Sequence, residues 1–244
     1  MTEHLSGRIT FLRGLVRVSL RLLTRFEVHG TEKFPKTGTA MFVMNHLHWS
    51  DPVIGMAIVS RPAYTFVADK WEHRAVLGFL MRFTRQVIFV ARGEADRKAI
   101  SRAIEVLKQG YMLAIAPEGT RSKTGALQEG HEGPAYLASR TGAMIVPVGA
   151  YGQEKTEACW KRLRRPHIVV TIGDPFVLPG TPNKAKGQQL VAYTDEIMLH
   201  IAALLPEAYR GVYAQGRLHV DVNEPSATPN RVEDRAIAAG LTGS

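Results

Sequence analysis

Apolar positions first recur at helical spacing, then gather into short solid runs. Between residues 8 and 26, Leu12, Leu15, Val16, Leu20, Leu22, Leu23 and Phe26 supply an apolar surface. Arg13, Arg17, Arg21 and Arg25 recur every fourth residue as a slowly drifting basic stripe, which predicts one amphipathic helix. The runs that follow predict strands over 26–30, 40–44, 64–68, 87–90, 111–116, 143–150 and 167–172. Between them the pattern predicts a buried helix over 52–60, an irregular helical segment over 70–83, and helices over 94–109, 134–140 and 184–205. Pro147 inside the 143–150 run points to an edge strand or a bulge. From about 222 the chain is rich in Pro, Asn, Thr and Gly, which predicts a poorly ordered tail with at most a short surface helix over 231–239. Strands alternating with helices predict an α/β fold with a largely parallel central sheet flanked by helices, preceded by the amphipathic helix. Three regions follow: the helix in 1–25, a main domain over 26–210 and a tail over 211–244.

Two polar stretches interrupt this pattern just after buried strands, where α/β proteins place their chemistry. The first is Asn45-His46-Leu47-His48-Trp49-Ser50-Asp51-Pro52. On a continuous helix His46 and Asp51 would lie about 140° apart. They meet if the helix begins only at Asp51 or Pro52, as the capping residues Ser50 and Asp51 and the proline favour. A carboxylate bonded to one imidazole nitrogen leaves the other free as a base. The same spacing is compatible with a plain cap at Asp51 and a polar turn residue at His46. The second stretch, Pro117-Glu118-Gly119-Thr120-Arg121-Ser122, combines a glycine, two hydroxyls and an arginine whose planar fork suits a phosphate. Read alone, it is equally a tight turn with a surface arginine.

Charge and cysteine content narrow the partners. A net charge of +9 calls for an anionic partner: nucleic acid, a phosphorylated substrate or anionic lipid. The absence of an RNA-binding signature, a basic heptad array or a zinc finger speaks against nucleic acid. A single cysteine, Cys159, excludes an internal disulfide framework and suits a reducing compartment, and no Cys/His cluster has zinc spacing. The four arginines of the first helix would cost roughly 2.5–3.5 kcal/mol each near the centre of a membrane span. They favour a helix lying in the interface of an anionic membrane, and the segment lacks the uninterrupted apolar core of a signal peptide. The alternative is a basic surface helix packed on the protein's own core.

Taken together, the two stretches resemble the glycerolipid acyltransferases of the 1-acylglycerol-3-phosphate acyltransferase type. Asn45, His46 and Asp51 match the family's N-H-x4-D block, and Pro117 to Ser122 match its P-E-G-T-R-S block in full. Lys70, Glu72 and Gly78 fit the beginning of an intervening block and Ile88-Phe89-Val90-Ala91-Arg92 its end, with Gln86 where the family carries glycine. Ile145-Val146-Pro147-Val148 matches a fourth block, and Ile172-Gly173-Asp174-Pro175-Phe176 resembles the closing strand and turn. The resemblance covers about residues 26 to 205 and makes 26–210 the catalytic domain.

The resemblance implies direct transfer of a fatty acyl group from acyl-CoA or acyl carrier protein to the free hydroxyl of 1-acylglycerol 3-phosphate, giving phosphatidic acid. No further cofactor or metal is implied. His46 is then the general base and Asp51 its orienting partner. Asn45, Lys70, Arg92, Glu118, Gly119, Thr120, Arg121 and Ser122 form the substrate-binding set, with Arg121, Arg92 and Lys70 supplying charge for the acceptor phosphate. His48 is expected to be a wall residue, Trp49 a packing or membrane-side residue, and Cys159 to play no part. Backbone N–H groups after Asn45 or around Gly119 are expected to hold the oxyanion. The implied location is the cytoplasmic face of the cell membrane, as a peripheral or monotopic protein. Another lysophospholipid or glycerol 3-phosphate as acceptor, a thioesterase, and a non-enzymatic basic membrane-binding module are the competing readings. No G-x-S-x-G nucleophile elbow is present, which speaks against a serine hydrolase.

Overall fold

The computed structural model describes residues 7–68, 86–90 and 97–216. The helical segment predicted over 70–83, with Lys70, Glu72 and Gly78, lies outside them, as do Arg92 and the tail beyond 216 with its predicted helix at 231–239. The start of the predicted poorly ordered tail is instead docked: Tyr213 is buried and Val212 N–H donates to Leu127 O at 3.3 Å. The described elements are α1 (Gly7–Leu23), β1 (Arg25–His29), β2 (Ala40–Met44), α2 (Asp51–Ile58), β3 (Ala63–Ala68) and β4 (Val87–Val90). They continue as α3 (Arg97–Lys108), β5 (Met112–Ile115), α4 (Gly133–Thr141), β6 (Met144–Tyr151), α5 (Thr156–Lys161), β7 (His167–Ile172) and α6 (Gln188–Ala203).

One seven-stranded sheet runs in the order β1-β7-β6-β2-β5-β3-β4. Every neighbouring pair is parallel except β6 and β7. Residue alternation along β2 explains why all five of its positions are buried. Met41 and Val43 enter a core with Val106 and Leu107 of α3, Leu137 of α4 and Ile197 of α6. Phe42 and Met44 face the opposite side, with Ile54 and Ile58 of α2. The carboxyl ends of β2, β5 and β6 therefore open side by side at one sheet edge.

Pro147 departs from expectation. It lies in β6, an interior strand between β7 and β2, rather than at an edge. Ala150, three residues on, turns its N–H and carbonyl toward the β2 side. Strand alternation therefore turns Pro147 toward β7, which has ended at Ile172. There the Pro147 carbonyl accepts from Gly173 N–H at 2.8 Å, and its missing N–H costs the β2 ladder nothing.

Part of the basic stripe of α1, expected at an anionic membrane interface or on the protein's own surface, packs against α2. Arg17 Nε donates to Ala57 O at 2.7 Å and Arg13 Nη1 to Ser60 O at 3.4 Å. Both arginines thus serve carbonyls at the C-terminal end of α2, where unpaired acceptors and the helix dipole favour cations. Arg13 is only 7% exposed. Burial, and secondarily the charge of Arg17, pull its pKa down to about 10, so it remains a cation at neutral pH. Arg13 is turned inward while Arg17 stays exposed, and Phe11, Leu15, Val18 and Leu22, spaced four, three and four apart, form an apolar stripe on the outer surface. Among the described residues no helix is long and apolar enough to cross a membrane.

These contacts make a stability prediction. Arg17→Ala is expected to cost about 1 kcal/mol through the lost bond to Ala57. Phe11→Ser should stay within about 0.5 kcal/mol of wild type, because the ring packs on nothing that folding buries. Urea denaturation of the two variants measures both, and the reverse ranking would mean that the Arg17 bond contributes nothing to stability.

Candidate active site

The β2 ladder ends at Met44, opposite Val148 of β6. Asn45 then stands in for one more residue of strand. Its Nδ2 donates to Ala150 O at 2.8 Å, and its Oδ1 accepts from Ala150 N–H at 2.8 Å. The side chain satisfies both backbone groups that an extended strand would have met, while the main chain is free to turn. Asn45 is buried, and both ends of its carboxamide are bonded to Ala150, which gives it a part in shaping the site.

His46 sits on the turn that this substitution permits. Its Nδ1 lies 2.7 Å from Asp51 Oδ2. The same oxygen accepts from Leu47 N–H at 2.8 Å and His48 N–H at 2.9 Å. An oxygen already accepting two donors faces an imidazole nitrogen that carries hydrogen, so Nε2 is the basic nitrogen. Helix α2 starts at Asp51 with Pro52 in its first turn, and the Asp51 carboxylate reaches back over the turn to make these bonds. The other carboxylate oxygen receives Gln153 Nε2 at 3.3 Å.

The 117–122 loop grips the backbone of the same histidine. Glu118 Oε1 accepts from His46 N–H at 2.8 Å, and Ser122 N–H donates to His46 O at 2.7 Å. Glu118 Oε2 accepts from Gln128 N–H at 3.0 Å, and Ser122 Oγ donates to Ala126 O at 2.6 Å. Both side chains are thereby spent on holding loops together, although the sequence placed them among the substrate contacts. Burial raises the Glu118 pKa above its ordinary 4.5, against the pull of the bonds from His46 and Gln128. Gly119 adopts φ 65°, and a Cβ there would meet His131 Cδ2 at 2.8 Å, so the loop needs a glycine twice over.

Thr120 and Arg121 are exposed at the loop tip and have no hydrogen-bond or ion-pair partner among the described residues. His48 is buried, with Nδ1 2.9 Å from Ser50 Oγ and Nε2 3.9 Å from Glu157 Oε1. Burial lowers its pKa, with nearby Asp51 and Glu157 opposing and Arg121 adding to the shift. Lys70 and Arg92 lie outside the described residues, so their placement around this site stays with the sequence. No group of three or more His, Cys, Asp or Glu among the described residues is placed to hold a metal ion.

An apolar cavity of about 200 Å³ opens beside His46 and Asp51. Its floor is the α2 side of the sheet, including Phe42, Met44 and Ala114, and α2 contributes Gly55 and Met56. Arg61, bonded to Gly110 O at 2.8 Å, and Arg13 of α1 stand at its far end, near the amino ends of β2 and β5. The cavity thus runs roughly the length of a five-residue strand, about 15 Å.

Sequence reasoning missed two residues. Gln153 is fully buried against Asp51, and Gln128 completes the Glu118 clamp. The available signal for Gln153 was its position just past β6, at the same sheet edge as His46. Nothing in the polar loop around Gln128 set it apart.

A family model described as Acyltransferase matches residues 25–151. The chain is 30% identical over 149 residues to a 1-acyl-sn-glycerol-3-phosphate acyltransferase of Borreliella burgdorferi, covering 59% of each protein. It is 27% identical over 143 residues to a chloroplastic relative of the same activity from Arabidopsis thaliana, covering 57% of this chain and 39% of that one. A Bacillus subtilis protein of that name is 22% identical over 197 residues, covering 80% of this chain and 95% of that one. The chain thus spans little more than half of the first relative and less of the second. The crystal structure of the 1-acyl-sn-glycerophosphate acyltransferase PlsC from Thermotoga maritima shares the fold with a TM-score of 0.64 at 20% identity, covering 80% of this chain and 78% of that one.

Two predictions follow from the clamps. Asn45→Ala leaves the buried Ala150 N–H and carbonyl without partners and should cost about 2–4 kcal/mol in chemical denaturation; a cost below about 0.5 kcal/mol would mean that water replaces the amide. Glu118, with its raised pKa, keeps its proton to higher pH in the native state than in the unfolded chain. Native stability relative to Glu118→Gln should therefore fall as pH rises from about 4.5 through the raised value. Unfolding midpoints of the two proteins across that window check the sign, and parallel curves would contradict it.

Proposed function

The chain belongs to the acyltransferase family, and from that premise we propose that it moves a fatty acyl group from an acyl thioester to the free hydroxyl of 1-acylglycerol 3-phosphate, giving phosphatidic acid. The observation that carries this reading is the His46–Asp51 pair at the open end of an apolar cavity, 2.7 Å apart and fixed in one tautomer. A hydroxyl placed at His46 Nε2 loses its proton as its oxygen attacks the thioester carbon. The carbon–sulfur bond then breaks, and the carrier's thiolate takes the proton back from His46. Asp51 stabilises the imidazolium between these steps.

His46, Leu47 and His48 N–H groups are all committed to carboxylates, and Gly119 N–H is bonded to Ala116 O at 3.1 Å. Of the 117–122 loop that holds His46, the Thr120 and Arg121 N–H groups carry no bond to a described residue, and we assign them to the tetrahedral oxyanion. The Arg121 guanidinium is assigned to the acceptor's phosphate. The apolar cavity takes the acyl chain, and CoA or acyl carrier protein remains outside as the thiol carrier. The exposed apolar stripe of α1 rests on the membrane that holds the lysophospholipid acceptor, which makes the protein a peripheral enzyme of the cytoplasmic membrane surface.

Thiol release from a long-chain acyl-CoA, measured with and without lysophosphatidic acid in vesicles, tests this reading. Wild type is expected to release thiol only with the acceptor, and His46→Ala to be slower by about 10²–10⁴-fold with its fold intact. Acceptor-independent release would make the protein a thioesterase. Undiminished turnover by His46→Ala would remove His46 as the base.

A further inference from the structure

The end of α5 carries an exposed apolar element that the proposed chemistry does not use. Arg164 N–H donates to Cys159 O at 2.9 Å and Leu163 N–H to Trp160 O at 2.9 Å. This paired closure ends a helix on one residue in the left-handed conformation, a position usually held by glycine. Here it is Leu163, at φ 53°, the only non-glycine residue of positive φ among the described residues. A leucine Cβ is crowded by the backbone in that conformation. Its side chain is 98% exposed, so no contact within the protein compensates for the strain.

The loop's surroundings indicate what does. Trp160, itself partly exposed, donates its indole N–H to Leu23 O at 3.3 Å, and Arg165 donates to the carbonyls of Arg21 and Thr24. These bonds pin the loop to the C-terminal end of α1, where the exposed apolar stripe reaches Leu22 and Leu23. Lys161, Arg162 and Arg164 flank Leu163, and all three are exposed. The loop leads into β7, which runs antiparallel to β6 with Val169 opposite Tyr151, so it stands at the same sheet edge as His46. Glu157 of α5 approaches His48 within 3.9 Å, so the helix bearing the loop borders the site.

We propose that residues 160–165 form a second membrane foot, in which Leu163 and Trp160 enter the headgroup–acyl boundary of an anionic bilayer while Lys161, Arg162 and Arg164 engage its phosphates. The inference rests on the interfacial reading of α1 given above and extends it: two contacts, one along α1 and one at the site edge, fix how the catalytic opening meets the membrane. Continuity of apolar surface from Leu22 through Trp160 to Leu163, bordered by cations, matches the layered chemistry of an anionic lipid surface.

Flotation of the full chain with phosphatidylcholine vesicles, alone or mixed with phosphatidylglycerol, tests this. Leu163→Gly removes the side chain while relieving the backbone. It should keep or raise the thermal midpoint yet bind the mixed vesicles about tenfold more weakly than wild type. Unchanged binding by Leu163→Gly, or equal wild-type binding to both vesicles, would overturn the proposal. So would a lipid-free wild-type dimer that Leu163→Gly turns into a monomer. A Phe11→Glu, Leu15→Glu variant separates the two readings. Loss of binding there with Leu163→Gly unaffected removes only the loop, whereas unaffected binding there with Leu163→Gly weakened removes only the α1 contact.

Discussion

A single carboxylate oxygen, Asp51 Oδ2, accepts the imidazole of His46 and the backbone N–H groups of Leu47 and His48. The loop between β2 and α2 has its shape because of that oxygen. A buried carboxylate must be compensated by donors, and here three of them come from one turn, with Gln153 on the second oxygen. The turn's fold and the orientation of the imidazole are therefore one interaction. Glu118 and Ser122 close it from the other side by taking both backbone groups of His46, so the histidine's position depends on two loops that meet only across the β2–β5 pair.

The same economy governs Asn45. A strand that must stop pairing in order to turn leaves its neighbour's backbone groups open, and the carboxamide of Asn45 fills both on Ala150. Pro147, two positions before Gly149 on the same strand, is tolerated because its nitrogen faces the side where β7 has already ended. Sheet pairing and site construction thus use the same few residues at the carboxyl edge of β2 and β6.

Helix α1 shows how tertiary contacts can divide an amphipathic pattern between the interior and the surface. Arg13 and Arg17 bond carbonyls at the end of α2, Arg13 buried and Arg17 at the surface, and the apolar stripe is left outside. Arg13 meets Ser60 O at 3.4 Å while its Nε is buried without a partner, and the outer stripe offers a surface suited to lipid. The inward arginine also stands at the end of the apolar cavity, so one helix contributes both to the outer surface and to the interior of the site.

The sequence by itself determined the order of elements, the largely parallel α/β sheet, the family blocks, and the meeting of His46 with Asp51, because strand and helix periodicity and a proline-capped helix start are local properties. It could not assign Asn45 and Glu118 to backbone clamps, since their partners lie 105 and 72 positions away, and a polar side chain looks the same whether it meets a ligand or a distant peptide group. Nor could it find Gln153, whose role exists only because β6 ends beside α2. The face that α1 turns outward, the interior place of Pro147 and the exposed strain at Leu163 were likewise decided by tertiary structure. Each depends on which unpaired backbone group a neighbouring element presents, and periodicity along one segment carries no record of that.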